Sequence, residues 1–315
     1  MLDIALTTVP FFGLVLCGWV AARTGRLPAQ SVAPLNGFVL WFALPAMLFR
    51  FVAGTPVETL LDARVALGYA ASGLLVYATG AALLRMRLRE NWIDTGYGAL
   101  AGAWPNWGYM GFGLLPAVFG DDALAIMISA GIMDLLMLMP FALLVASRGR
   151  STPGASVLAG SLKGLARNPL ILAISAGLAV SLLQVPIPKA LDEFLRLLGS
   201  SAGPVALFAI GVFVYRAEPV RPDRGSWMLI VLKLLLHPLL MWLMTSLVLG
   251  LPRMTTTVMT VVAALPAAGT AFLFVERNGG NVERVASAIL LSTALSFVTI
   301  TLLIAWLRSG AGFLR

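Results

Sequence analysis

Charged residues are scarce in this chain: Asp, Glu, Lys and Arg make up 11% of its 315 residues, whereas 59% are hydrophobic. Soluble domains carry about a quarter charged residues, so this composition cannot give a globular domain a water-wettable surface. The few charges cluster between apolar blocks of roughly 20 residues, which is the length that a helix needs to cross a bilayer. The sequence therefore predicts an all-α membrane protein.

Cysteine and histidine are almost missing, with one of each in the chain. The single Cys17 excludes an internal disulfide and any CxxC metal or redox site. One histidine leaves almost no material for a zinc site or a catalytic triad. No GxxxxGK[ST] phosphate-binding motif occurs, so ATP-driven pumping by this chain alone is not expected. We therefore expect neither an enzyme, a bound metal nor an organic cofactor.

The net charge of +8 raises the question of a nucleic-acid partner. The basic residues lie at the ends of apolar blocks and form no single stripe, so we expect no nucleic-acid binding. The N-terminus, Met1-Leu2-Asp3, runs straight into apolar sequence without the basic region of a secretory signal. We therefore expect the first helix to remain in the mature protein.

Ten apolar runs have the length of a membrane span: 4–22, 34–53, 65–84, 92–115, 122–146, 168–185, 201–216, 226–249, 255–276 and 284–307. The loops after odd-numbered runs carry fourteen Lys and Arg, against seven in the other loops and the C-terminal tail. The positive-inside rule therefore predicts a multi-pass protein of the cell (inner) membrane with both termini outside. The charges at Glu283 and Arg284 are expected to belong to a solvated loop.

An internal repeat follows from residues that recur at an offset of about half the chain. Pro105 and Pro266, for example, lie 161 positions apart. This offset divides the chain into two halves, 1–148 and 168–315, joined by a cytoplasmic connector over 149–167. Each half holds five spans, and because five is odd the second half must enter the membrane from the opposite face. The sequence thus predicts two inverted five-helix repeats.

The fourth and ninth spans each contain a proline near the middle, Pro105 and Pro266, with Gly108 and Gly269 close by. Proline removes a backbone donor and nearby glycine lets a helix unwind. Unwound backbone survives in a bilayer only beside protein or a water-filled cavity, so the two breaks predict a binding site whose half-helix N-termini favour an anion. Asn106, next to the first break, can both donate and accept hydrogen bonds. The alternative is that each proline merely kinks a packed helix.

Three further polar residues lie inside predicted spans: Asp134, Lys233 and His237. An ionised acid at mid-span is costly unless it is paired, hydrated or protonated, which makes Asp134 the first candidate for coupling to a proton or sodium ion. The alternative is a static contact, including an ion pair with Lys233 or Arg50. Lys233 and His237 are four residues apart, so they share a helix face that should look inward. Both are secondary coupling candidates, although a structural hydrogen bond is the simpler role for His237.

The sequence resembles the auxin efflux carrier family along essentially its whole length, at the motifs Phe42-Ala43-Leu44-Pro45, Pro105-Asn106 followed by Gly108-Tyr109-Met110-Gly111, and Ala264-Leu265-Pro266 followed by Ala271-Phe272. That family includes bacterial carriers for malonate and related acids and the PIN auxin carriers of plants. The resemblance implies ten helices arranged as a scaffold domain and a transport domain with crossed fourth and ninth helices. It also implies elevator-like alternating access and a homodimer.

The resemblance further implies the residues of the site. Asn106, directly after Pro105, would contact the substrate carboxylate, and the lining would comprise Leu44, Pro266, Ala267 and Gly269. Two departures matter: the plant carriers have a glutamine where this chain has Ala267, and span three holds no acid like their support-site aspartate. Substrate identity and ion coupling therefore do not carry over, and a compact bacterial carrier is the nearer comparison.

These observations favour a secondary active transporter of small organic anions, such as mono- or dicarboxylates, across the plasma membrane. The alternative is a non-transporting receptor or a channel built from the same helices. No selectivity filter, gate ring or signalling domain is evident in the sequence to favour either of these.

Overall fold

A computed structural model describes residues 2–60, 62–120, 122–149, 167–216 and 221–309. Most of the predicted connector, residues 150–166, lies outside these ranges. In the first half of the chain the main helices are α1 (Leu2–Arg23), α2 (Val32–Ala53), α3 (Ala63–Met86), α4 (92–103), α5 (Trp107–Phe119) and α6 (Asp122–Ser147). In the second half they are α7 (Pro169–Leu183), α8 (Lys189–Ser200), α9 (Ala202–Arg216), α10 (Arg224–Val248), α11 (Arg253–Ala264), α12 (Gly269–Arg277) and α13 (Val282–Arg308).

Six stretches of the described chain are long and apolar enough to cross a membrane: α2, α3, α6, the combined stretch Lys189–Tyr215, α10 and α13. The helix bounds follow the predicted apolar runs closely. The exceptions are the two runs that the structure divides and the helix α8, which lies between the predicted runs 168–185 and 201–216. Short polar turns separate the helices, and several begin with a side-chain cap from Asp62, Asn91, Asn168, Asp223 or Asn281. Such caps satisfy backbone donors that a helix start leaves free.

Three of the long helices contain a widened π-helical turn, namely Val39–Ala43 in α2, Asp134–Leu138 in α6 and Leu232–Leu236 in α10. At these three turns a proline follows two residues after the turn ends, unlike at the wide turns Leu243–Val248 of α10 and Trp107–Gly111 of α5. Proline has no N–H and its ring crowds the preceding turn, so the local ladder shifts to longer-range bonds. The wide turns in α6 and α10 are also where Asp134 and Lys233 lie.

The helices pack into two groups. One group contains α1, α2, α7, α8 and α9, and the other contains α3, α4, α6, α10, α11, α12 and α13. The groups meet through α5, which contacts both, and through contacts of α1 with α13 and of α9 with α12. The helices α1 and α9 meet backbone to backbone: a Cβ added to Gly18 would overlap the carbonyl of Phe208, and one added to Gly211 would overlap that of Val15. Small residues allow this close approach, as is common between membrane helices.

Candidate functional site

The chain is interrupted at both predicted proline sites. The helix α4 ends at Ala103 and α5 begins at Trp107, while α11 ends at Ala264 and α12 begins at Gly269. Neither proline is therefore a simple kink in a continuous helix. The prediction of two broken spans is confirmed.

The two interruptions meet and pair with each other. The N–H of Asn106 donates to the carbonyl of Pro266 at 2.8 Å, and the N–H of Ala268 donates to the carbonyl of Trp104 at 3.0 Å. These reciprocal bonds make an antiparallel bridge between Pro105 and Ala267. Backbone groups that each break frees are thus satisfied by the other break, which is what a bilayer interior demands.

A serine on the last helix secures the second break. The N–H of Ala267 donates to Oγ of Ser292 at 3.1 Å, and this hydroxyl in turn donates to the carbonyl of Ile289 at 3.0 Å. Ser292 is fully buried on α13. Its role depends on a contact between positions 25 residues apart, so the sequence pattern did not reveal it.

The Asn106 side chain lies where the two interruptions pair, a region that we call the crossing, and its amide is free of hydrogen bonds to the described residues. It is 5% exposed, and no hydrogen bond to it occurs within the part of the chain that the structure describes. Space lies beside both breaks, because a Cβ added to Gly108 or to Gly269 would have no neighbour within 4 Å. A buried amide normally finds partners. This one is therefore available to a ligand.

Both second segments begin at the crossing. Asn106 precedes the first turn of α5 and Ala268 precedes that of α12, so the positive ends of two helices lie next to the bridge. The first N–H groups of a helix have no partner within it, and they favour negative charge together with the helix dipole. The crossing can thus hold an anion without a cationic side chain.

The remaining predicted lining residues divide into three environments. Pro105, Pro266 and Ala267 are buried within the bridge itself, and Gly269 is exposed at the start of α12. Leu44 is 1% exposed on α2, in a stretch that packs chiefly on α7 and α8. The lining role of Leu44 stays a prediction.

Asp134 is 1% exposed and is held by two donors on one oxygen. Its Oδ2 accepts from the hydroxyl of Tyr69 at 3.0 Å and from Nε1 of Trp107 at 2.9 Å. Trp107 directly follows Asn106, so the acid is connected to the crossing. Sequence reasoning singled out Asp134 but neither partner, because these contacts join three different helices.

Lys233 and His237 are both fully buried, as their shared helix face predicted. The two side chains are 3.2 Å apart, between Nζ and Nδ1, and Nζ also donates to the carbonyl of Ala263 in the last turn of α11. Nε2 of His237 is buried without a hydrogen-bond partner in the described chain. Lys233 therefore holds the other broken span just before its interruption.

Neither ion pair considered for Asp134 is formed. Arg50 instead pairs with Asp192 of α8 at 2.6 Å, so the Arg50 alternative is wrong. Lys233 uses a carbonyl and His237 as its partners, and none of the ion pairs among the described residues includes Asp134. An acid and a base thus flank the crossing, each with its own hydrogen-bond partners.

A polar cluster ties together the loop ends of three helices away from the crossing. Arg284, whose side chain is only 9% exposed, lies 2.7 Å from Glu90 and 2.7 Å from Asp223. The expectation that Arg284 lies in a solvated loop is wrong, because these two acids come from other loops. Partial burial raises the pKa of Asp223, but hydrogen bonds from Arg284 and Ser226 outweigh it, so the pKa lies below its ordinary value.

Sequence similarity to known proteins runs along nearly the whole chain. The family model described as "Membrane transport protein" matches residues 4–304. A "Putative malonate transporter" of Rhizobium meliloti (strain 1021) is 32% identical over 314 residues, covering 99% of this chain and 98% of that protein. An "Uncharacterized transporter" of Methanothermobacter thermautotrophicus is 24% identical over 304 residues, covering 94% of this chain and 96% of that protein. The "Lysosomal cholesterol signaling protein" of Mus musculus is 26% identical over 247 residues, covering 73% of this chain but 28% of that longer protein.

Proposed function

Since this chain belongs to the membrane transport protein family and is a multi-pass membrane protein, we propose that it is a secondary active carrier of small organic anions. The observation that carries the proposal is the crossing: two interrupted spans paired by their backbones, with two helix N-termini and the free amide of Asn106 beside open space. This arrangement offers an anion several donors at once. Transporters commonly bind substrates where discontinuous helices meet.

A small mono- or dicarboxylate is the substrate class that fits these donors. The name of the Rhizobium meliloti relative points to malonate, and that protein matches this chain from end to end. The buried Lys233 is already engaged by the carbonyl of Ala263 and by His237. Asn106 and the helix N-termini would therefore bind the carboxylate, with Leu44, Ala267 and Gly269 as lining.

The proposed transport cycle is elevator-like alternating access in a ten-helix, inverted-repeat fold. The antiparallel sense of the bridge supports inverted halves. The two packing groups support a scaffold of α1, α2 and α7 to α9 against a moving unit that contains the crossing. A homodimer in the cell membrane, with both termini outside, completes this proposal.

A proton or sodium ion is the proposed coupling partner, with Asp134 as the group that senses it. Its carboxylate is buried within a span without an ion-pair partner among the described residues. It accepts a hydrogen bond from Trp107, which adjoins the crossing. Lys233 would balance its charge, with His237 as the neighbour that holds Nζ of Lys233.

Uptake into proteoliposomes tests the carrier function. Wild-type protein should accumulate labelled malonate or another acid of a mono- and dicarboxylate panel. Asn106→Ala should lower uptake about tenfold or more, because a hydrogen bond to a charged group is lost. Asn36→Ala on α2 is the matched control and should transport normally.

Absence of uptake for every acid of the panel would contradict the proposal, as would full activity of Asn106→Ala. The receptor alternative predicts a thermal shift with substrate but no flux. A channel would conduct ions, and its flux would not saturate with substrate concentration as the flux through a carrier does.

A further inference from the structure

The indole of Trp107 lies directly on the backbone of α6. A Cβ added to Gly131 would come within 2.7 Å of Cζ2 and 2.8 Å of Cε2 of this ring. The indole is 4% exposed and also contacts Phe112 edge-on, with ring centroids 6.1 Å apart. Gly131 therefore provides a flat seat that no larger residue could provide without displacing the ring.

Asp134, one turn after Gly131, fixes the direction in which the Trp107 indole points. Its Oδ2 accepts the indole N–H at 2.9 Å. Gly131, on which the ring lies, and Asp134, which accepts its N–H, both belong to α6. This helix therefore sets both the plane and the direction of the Trp107 ring. The residue before Trp107 is Asn106, whose backbone N–H donates to the carbonyl of Pro266 in the bridge. The position of the Asn106 amide thus depends on Trp107.

We propose that Asp134 is a positioning residue that links proton binding to substrate binding through Trp107. This inference rests on the proposed carrier function and deepens it, because it names the path by which a proton changes substrate affinity. The only covalent change is transfer of a proton from a hydronium ion of the solvent to the Asp134 carboxylate, which leaves a water molecule. An ionised carboxylate accepts a hydrogen bond more strongly than a neutral carboxyl, so protonation loosens Trp107.

The groups that face Asp134 allow this role. Tyr69 of α3 donates to the same oxygen as Trp107, at 3.0 Å. Lys233 and His237 of α10 are the titratable residues on the other side. Nζ of Lys233 contacts Nδ1 of His237 and donates to the carbonyl of Ala263. Among the residues that the structure describes, no salt bridge therefore fixes the charge state of Asp134. Because linkage is reciprocal, a substrate held by a well-placed Asn106 disfavours the proton as strongly as the proton disfavours the substrate.

Binding of labelled malonate to the purified full chain, measured from mildly alkaline to mildly acidic pH, tests the linkage. Wild-type affinity should fall about tenfold with acidification. Trp107→Phe keeps an aromatic ring but lacks the N–H, and it should bind more weakly at alkaline pH and lose less affinity on acidification than the wild type. Trp104→Phe is the matched control: this tryptophan flanks the same break and is 3% exposed, and its variant should keep the wild-type pH profile.

Protonation of malonate itself is common to all variants, so the difference between the two tryptophan variants isolates the contribution of the protein. Gly131→Ala should reproduce the Trp107→Phe profile by displacing the ring, and it carries the test if Trp107→Phe does not fold. A wild-type pH profile in both Trp107→Phe and Gly131→Ala would overturn the inference and leave the carrier proposal intact. A wild-type affinity that is unchanged or rises on acidification would overturn it as well, whereas no malonate binding or transport by the wild type would refute the carrier proposal itself.

Discussion

Individual residues show how charge is placed at membrane depth in this protein. Asp134 and Lys233 both lie on wide helical turns, each followed two residues later by a proline, at Pro140 and Pro238. A wide turn displaces its side chains and frees local backbone groups, which is why such turns often occur at functional sites. The sequence thus positions each charged side chain through a proline several residues downstream.

Replacing the acid should separate driving force from substrate exchange. In Asp134→Asn the side chain keeps its size and can still accept from Trp107 and Tyr69, but it no longer takes up a proton. Accumulation driven by a pH gradient should fall to the equilibrium level, whereas counterflow exchange of labelled for unlabelled malonate should continue. Both are measured in the same proteoliposomes. Unchanged pH-driven accumulation would remove Asp134 from the coupling mechanism.

The sequence alone identified Asp134, Lys233 and His237, because polar residues inside apolar runs are conspicuous. It did not identify Tyr69 or Trp107 as partners of Asp134, because both look like ordinary aromatic residues of a span. Their contacts with Asp134 join positions 65 and 27 residues apart and depend on how three helices pack. Helical periodicity carries no information about such packing.

Broken spans are the elements on which the site depends, and their location was predictable. A proline with a nearby glycine at the middle of an apolar run is a local signal, and both interruptions are found where that signal places them. The bridge between them was less accessible, since backbone pairing leaves no residue-specific trace. The helix α8 was missed because its 12 residues carry charges at helical spacing, at Lys189, Asp192, Glu193 and Arg196, and are too polar and too short for a span.

The serine that supports the second break should matter more than its neighbour on the same helix. Ser292→Ala leaves the buried N–H of Ala267 without an acceptor, which costs about 1–3 kcal/mol. Ser296 is equally buried on α13, but its hydroxyl only donates to the carbonyl of Thr293 at 2.7 Å. Ser296→Ala is therefore a matched control. Melting of the purified protein in detergent should rank Ser292→Ala clearly below Ser296→Ala, and equal melting temperatures would show that the bridge does not need this support.

Across the whole molecule, loops that are far apart in sequence converge on Arg284. Its contacts with Glu90 and Asp223 span 194 and 61 positions, and they join the ends of α3, α10 and α13. All three loops follow odd-numbered predicted spans, so they share the predicted cytoplasmic face. The cluster therefore fastens one end of the helix group that contains the crossing.

Acid should weaken this fastening in a defined pH range. Because the folded-state pKa of Asp223 lies below its ordinary value, its contribution to stability is complete above about pH 4 and disappears as the pH falls through the folded-state pKa. The melting temperature should therefore drop as the pH is lowered below about 4. Asp223→Asn keeps an acceptor for the N–H of Ser226 but loses the charge, so its melting temperature should drop less over the same interval. Parallel decreases in both proteins would assign the acid sensitivity to other groups.

The glycine contact between α1 and α9 has a consequence for how the molecule can move. At that seam the two main chains touch, so there are no side chains whose rotamers could absorb a displacement. Sliding either helix along its axis would drive neighbouring turns into each other within a few ångströms, roughly the rise of one turn. These two helices must therefore move, or stay fixed, as one rigid unit. Any shape change during turnover then falls on surfaces where side chains, not bare backbone, form the contact.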